Sequence, residues 1–145
     1  MRYEKLRPNL YSADLVCGKI DLDPSHRFSC YFIVQHTDDP EFIKKQAMQL
    51  LLAGVAILIS LGGKEILWHN GFDDVDIMLN PDSTEETVAL TMSWNTIEAF
   101  VDALDVDISA RPLIPHDVYL LYDDRVIYRD VLQRLERCHD GILQE

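Results

Sequence analysis

Between Lys64 and Arg111 the chain contains no lysine and no arginine. The same stretch carries eleven carboxylates: Glu65, Asp73, Asp74, Asp76, Asp82, Glu85, Glu86, Glu98, Asp102, Asp105 and Asp107. Elsewhere fourteen acids stand against thirteen bases, so this one segment supplies nearly all of the net charge of −12. Phosphate contacts need Lys and Arg, and their shortage argues against binding to nucleic acid or to an anionic membrane. Cysteine is scarce as well. Cys17, Cys30 and Cys138 form no close pair and leave one over, which reads as reduced thiols in a cytoplasmic setting. No long apolar run exists: Ala47 to Leu61 is interrupted by Gln49, Gly54 and Ser60 and is too short to span a bilayer. Met1-Arg2-Tyr3-Glu4-Lys5 is followed by no apolar run, so no secretory leader is expected. There is no repeat, linker or low-complexity tract.

What is present is a chain of 145 residues with 48% hydrophobic content, enough for one domain over 1–145 with a single core and too apolar for disorder. Four apolar runs read as buried strands: Phe28 to Val34, Val55 to Ile59, Val88 to Met92 and Val118 to Tyr122. Their continuous apolarity, without strict alternation, predicts strands covered on both faces, as in parallel sheets. Helical spacing separates them. This alternation predicts a three-layer α/β domain, with a mainly parallel four- to five-stranded sheet and helices on both faces, Rossmann-like or flavodoxin-like. Residues 1–27 read as irregular, with a candidate edge strand at Asp14 to Leu22.

The first helix is expected after an Asp39 cap and Pro40, with Phe42 or Ile43, Ala47, Leu50, Leu51 and Gly54 on one face and Gly54 as its stop. The segment Lys64 to Leu79 starts as a helix and meets a turn signal at Asn70-Gly71. A third helix is predicted from an Asn95 cap, with Glu98 completing a variant capping box. Ile97, Phe100, Val101 and Leu104 form its core stripe. Glu98, Asp102 and Asp105 line up on the other side with no cation between them, a repulsion of roughly a few tenths of a kcal/mol per pair. Asp123-Asp124 reads as the cap of a last helix with Ile127, Val131, Leu135 and Cys138 on its stripe and Arg125, Arg129, Arg134 and Arg137 exposed. A hairpin through Val126-Ile127-Tyr128 is the alternative there.

Parallel sheets bind ligands at the carboxyl ends of their strands, where three polar loops are expected. His36, Thr37 and Asp38 lie in the first; Gly62, Gly63 and Lys64 in the second; Ser93 and Asn95 in the third. The Gly62-Gly63-Lys64 turn has the outline of a phosphate cradle, with amides at a helix start and a lysine beside them. It matches neither G-x-x-x-x-G-K-[ST] nor G-x-G-x-x-G, and a tight strand-to-helix turn is the simpler account. His36 with Asp38 and Asp39 has the parts of a general base or a partial metal site, but Asp39 is already used as a cap. His69 with Asp73, Asp74 and Asp76 matches no zinc signature, and the Asp-Val-Asp pairs at 74–76 and 105–107 continue into no calcium loop. No G-x-S-x-G elbow surrounds Ser60 or Ser93. Neither a cofactor nor a metal is expected, and no catalytic residue is assigned.

Two functions compete. The first is a non-catalytic acidic module that docks a basic protein. Bacterial immunity and inhibitor proteins, which neutralise cationic nuclease toxins, share this profile of small size, acidity and missing catalytic motifs, though no motif links this chain to them. Asp73, Asp74, Asp76, Glu85, Glu86, Glu98, Asp102 and Asp105 would meet the partner's Lys and Arg, with Trp68 or Phe72 as the apolar anchor. The second is a small-molecule or nucleotide-binding domain, enzymatic or not, that uses the strand-end loops. A homodimer kept soluble by its acidic segment ranks third.

Overall fold

The computed structural model describes residues 3–15, 28–81, 90–109 and 117–144, with the side chains of the last helix up to Cys138. In chain order the elements are β1 (Glu4–Arg7), β2 (Leu10–Asp14), β3 (Phe28–Ile33), α1 (Pro40–Leu52), β4 (Val55–Leu61), α2 (Glu65–Leu79), β5 (Leu90–Trp94), α3 (Ile97–Ser109), β6 (Asp117–Tyr122) and α4 (Arg125–Gln144). The protein is α/β, and its described residues form one six-stranded sheet in the order β1-β2-β6-β3-β4-β5. Every neighbouring pair is parallel except β1 with β2. From β3 the chain moves to β4 and then β5, whereas β6 lies on the other side of β3. Strand order therefore reverses between β3 and β6.

Two apolar clusters take alternate residues from the same strands, as the period-two geometry of a strand requires. Phe28, Cys30 and Phe32 of β3 join Ile43, Ala47 and Leu50 of α1 and Trp68, Phe72 and Val75 of α2. Tyr31 and Ile33 join Phe100, Val101 and Leu104 of α3 and Tyr128, Val131 and Leu135 of α4. All six residues of β3 are buried, which explains its unbroken apolarity. Each such large side chain contributes roughly 1.5–3 kcal/mol by leaving water.

Several expectations are corrected. The sheet has six strands because residues 3–15 supply a β1–β2 pair, so the N-terminal strand ends at Asp14 where it was expected to begin; residues 16–22 lie outside the described residues. The third apolar run forms its strand at Leu90–Trp94, and Val88 and Ala89 lie outside the described residues. Helix α2 runs straight through Asn70-Gly71. Gly71 serves packing there: a Cβ on it would come within 2.7 Å of Ile43 Cγ2, so its absence lets α1 and α2 approach. Helix α3 is capped by Thr96, whose Oγ1 accepts from the Ala99 amide at 3.3 Å, not by the exposed Asn95. Residues 126–128 belong to α4, so the hairpin alternative is excluded. Asp39 does cap α1, accepting from Glu41 N at 3.1 Å, and Gly54 follows the helix at φ 95°.

Candidate functional site

The crevice at the reversal between β3 and β6 is where an open α/β sheet binds ligands. Here the chain fills it from within. The amides of Gln35, His36 and Thr37 donate to the Asp123 carboxylate at 2.7, 2.9 and 2.7 Å, and the Thr37 hydroxyl donates to it at 2.8 Å. Three successive amides aimed at one point form an anion receptor. The anion is the chain's own side chain, delivered by the end of β6. His36 Nε2 lies 3.0 Å from Asp124 Oδ2, and the other oxygen of Asp124 accepts from Ile127 N at 2.9 Å to cap α4. The Ile127 amide first, and His36 after it, hold the Asp124 carboxyl below its usual range.

The glycine turn is also satisfied internally. Gly63 N donates to Gln35 Oε1 at 2.8 Å, Lys64 N to the Val34 carbonyl at 2.9 Å, and Glu65 N to the Gly62 carbonyl at 3.2 Å. The Lys64 ammonium faces Asp38 Oδ2 at 3.7 Å. Trp68 Nε1 donates to the Thr37 carbonyl at 2.9 Å. His36, Thr37, Asp38, Gly62, Gly63 and Lys64 therefore do gather, as the sequence suggested, in a node whose donors are turned inward. Ser93 lies one strand further on, opposite Ser60, with exposed Asn95 just past the end of β5. Asp123, the hub of this node, reads in the sequence only as half of a capping pair. Replacing Asp123 by alanine is expected to lower stability by about 2 kcal/mol, since hydrogen bonds to a charged group are lost and only the exposed amides regain water. Asn at this position should recover part of that loss. Urea denaturation of both variants measures it, and a loss in alanine below about 0.5 kcal/mol would refute the hub role.

The acidic residues divide between two helices, α2 in the cluster of Phe32 and α3 in the cluster of Tyr31, with β5 adjoining both. Asp76 is buried and accepts from Asn80 Nδ2 at 2.8 Å, so it braces the end of α2 and meets no partner. Asp73 pairs with His69 at 3.1 Å, and Asp74 is exposed. Glu85 and Glu86 lie outside the described residues. The ridge on α3 does have a cation beside it: Arg134 of α4 reaches Glu98 at 2.8 Å and Asp130 at 2.9 Å. Glu98's own amide first, and Arg134 second, hold its carboxyl below the usual range. Asp102 is exposed and Asp105 half-buried. Asp107 accepts from the Tyr31 hydroxyl at 2.9 Å; burial, with that carboxylate second, raises the hydroxyl far above its ordinary range.

Trp68 and Phe72 are 0% and 1% exposed and pack in tilted contact with Phe32 at ring separations of 4.9 and 5.3 Å. As surface anchors they are ruled out: both belong to the core. Trp94 is different. It borders a groove of about 620 Å³ between β5 and α3, walled by Ile57, Leu90, Met92, Ala103 and Val106, with Asp102 and Asp107 also on its lining. Leu90 and Val106 are 55% and 68% exposed. Among the described residues the buried Trp94 Nε1 has no acceptor. Leu90 and Val106 went unnoticed in the sequence because each belongs to an otherwise ordinary apolar pattern. A second, polar cleft of about 430 Å³ lies by the carboxyl ends of β2 and β6, among Glu4, Asp14, Tyr122 and Arg125.

Among the described residues no helix is long and apolar enough to cross a membrane. No family model matches the chain, and neither a curated protein nor a solved structure matches it.

Proposed function

We propose that this protein is a non-catalytic acidic module that docks a basic protein, in the manner of an immunity or inhibitor protein facing a cationic toxin in a bacterial cytoplasm. The observation that carries the reading is a contrast within one fold. The donors at the strand-end crevice are consumed internally, whereas β5 and α3 present an apolar groove beside exposed carboxylates. Such a surface attracts a cationic partner and speeds its arrival. The strand order and the two clusters further support a three-layer, Rossmann-like arrangement, in which the binding surface has moved from the crevice to the sheet edge.

The test is charge reversal. Glu98→Lys, Asp102→Lys and Asp105→Lys together are expected to slow association with a cationic nuclease by about tenfold or more at low salt, and added salt should slow the unaltered protein in the same direction. Binding indifferent to both charge and salt, or no binding across a panel of basic proteins, rejects the proposal. One observation favours a small-ligand function instead, the polar cleft beside Arg125; stabilisation of the fold by a nucleotide, lost in Arg125→Ala, would support it.

A further inference from the structure

The two edges of the sheet are built differently. At one end β1 carries Glu4, Lys5 and Arg7 in four residues, its register with β2 shifts between Lys5 and Arg7, and Pro8 follows. Charges, irregular register and proline are the devices that keep a strand edge from recruiting another chain. At the other end β5 reads Leu90-Thr91-Met92-Ser93-Trp94, with no charge and no proline. Among the described residues it pairs only with β4, in regular register from Leu90 to Trp94. Among the described residues nothing pairs with its outer row of backbone donors and acceptors.

The flanks of that edge have a definite chemistry. On the α3 side lies the apolar groove bordered by Trp94, with Asp102 and Asp107 on its lining. On the other side runs α2, which contacts β5. Gly71, Asp74 and Val75 face α1, so helical spacing turns Ile66, Asp73 and Ile77 away from α1. Neither α2 nor α3 contains a lysine or an arginine, and His69 of α2 is already paired with Asp73.

We propose that β5 is a strand-addition site: an extended segment of the basic partner joins the sheet as a further strand beyond β5. Its alternate apolar side chains enter the groove between β5 and α3, and its intervening Lys or Arg side chains turn towards Asp73. Backbone pairing supplies affinity and the alternating pockets supply selectivity, as in other strand additions. Charge selects this occupant over a second copy of the chain, which would bring Asp73, Asp102 and Asp107 towards their own equivalents. The inference rests on the basic-partner reading above and names the surface and the element that it uses.

The probe is a capped, fluorescently labelled peptide of alternating valine and lysine, about ten residues long. Anisotropy is expected to show saturable binding to the intact protein. A valine–glutamate peptide should fail, and so should a valine–lysine peptide of equal charge interrupted by prolines, because proline cannot continue a ladder. Leu90→Lys and Val106→Lys replace exposed side chains and should weaken binding by about tenfold or more with unchanged circular dichroism. Equal binding of the proline-interrupted peptide would reduce the site to charge alone and overturn the strand addition. A concentration-dependent dimer abolished by Leu90→Lys would overturn it in favour of self-pairing. If basic proteins bind in a charge-dependent way but no peptide does, strand addition falls while the docking function stands; if neither binds, both fall.

Discussion

Trp68→Ala is expected to lower the free energy of unfolding by about 4 kcal/mol, in the range for large aromatic residues removed from a core. The side chain is fully buried, with ring centres 4.9 Å from Phe32, 5.8 Å from Phe72 and 6.2 Å from Phe42. Trp68 and Phe72 of helix α2 both pack on Phe32 of strand β3, and removing the larger ring leaves a cavity in that contact. The lost Nε1 bond to the Thr37 carbonyl adds about 1 kcal/mol at most, because Thr37 is only half-buried and water can replace the donor. Trp68→Phe separates the two effects, keeping a ring and removing the donor, and should lose about half as much. Since a domain of this size holds only about 5–15 kcal/mol in total, the alanine variant would unfold at markedly lower urea. Circular dichroism against urea provides the measurement. Stability within about 0.5 kcal/mol of the parent would restore Trp68 as a surface residue and undo the assignment of α2 to the core.

That tryptophan marks the boundary of what the sequence can convey. Trp68 and Phe72 stand four apart, a core-facing spacing, yet Ile66 and Leu67 beside them are exposed and Asn70-Gly71 reads as a turn. What selects the buried face is Phe32, thirty-six positions earlier, and what admits Gly71 is Ile43 on another helix. Neither is a local property. Strand β3 was legible because both of its faces are covered: it is buried throughout, and continuous apolarity has no other inexpensive explanation. Whether a strand is central or at an edge is decided by neighbours, so the open edge at β5 was invisible. The Asp123 hub was hidden for the same reason. A pair of aspartates before a helix signals one cap, and only the β3–β6 pairing brings the spare carboxylate to the 35–37 loop. The acidic bias was plain in the composition. Its division between α2 and α3 follows from strand order, as does the reach of Arg134 to Glu98.

Gly62→Ala should destabilise the protein by about 3 kcal/mol, whereas Gly63→Ala, one residue away, should stay within about 0.5 kcal/mol of the parent. Gly62 sits at φ 119°, a conformation that an L side chain rarely adopts, and a Cβ there would lie 2.7 Å from the Val34 carbonyl oxygen. That oxygen is held in place, since it accepts from Lys64 N at 2.9 Å while Val34 N donates to Leu61 O at 2.8 Å. The clash therefore falls on backbone that ties β3 to the start of α2, and relief would have to break one of those bonds. At Gly63 a Cβ would meet only the Gln35 side-chain amide, 3.4 Å away, which can turn aside. The two substitutions separate the readings of this glycine pair. A turn built for close backbone approach predicts the large difference, unchanged by added phosphate or nucleotide. An anion cradle predicts that ligand stabilises the parent and that both variants lose the effect, because the approach to the amides of residues 63 and 64 would be narrowed in each. Melting temperatures of the three proteins, with and without inorganic phosphate, decide between them. Phosphate stabilisation lost in both variants would return the site to the strand-end loops. The large, ligand-independent gap expected here leaves the glycines to shape the turn and leaves recognition to the edge of the sheet.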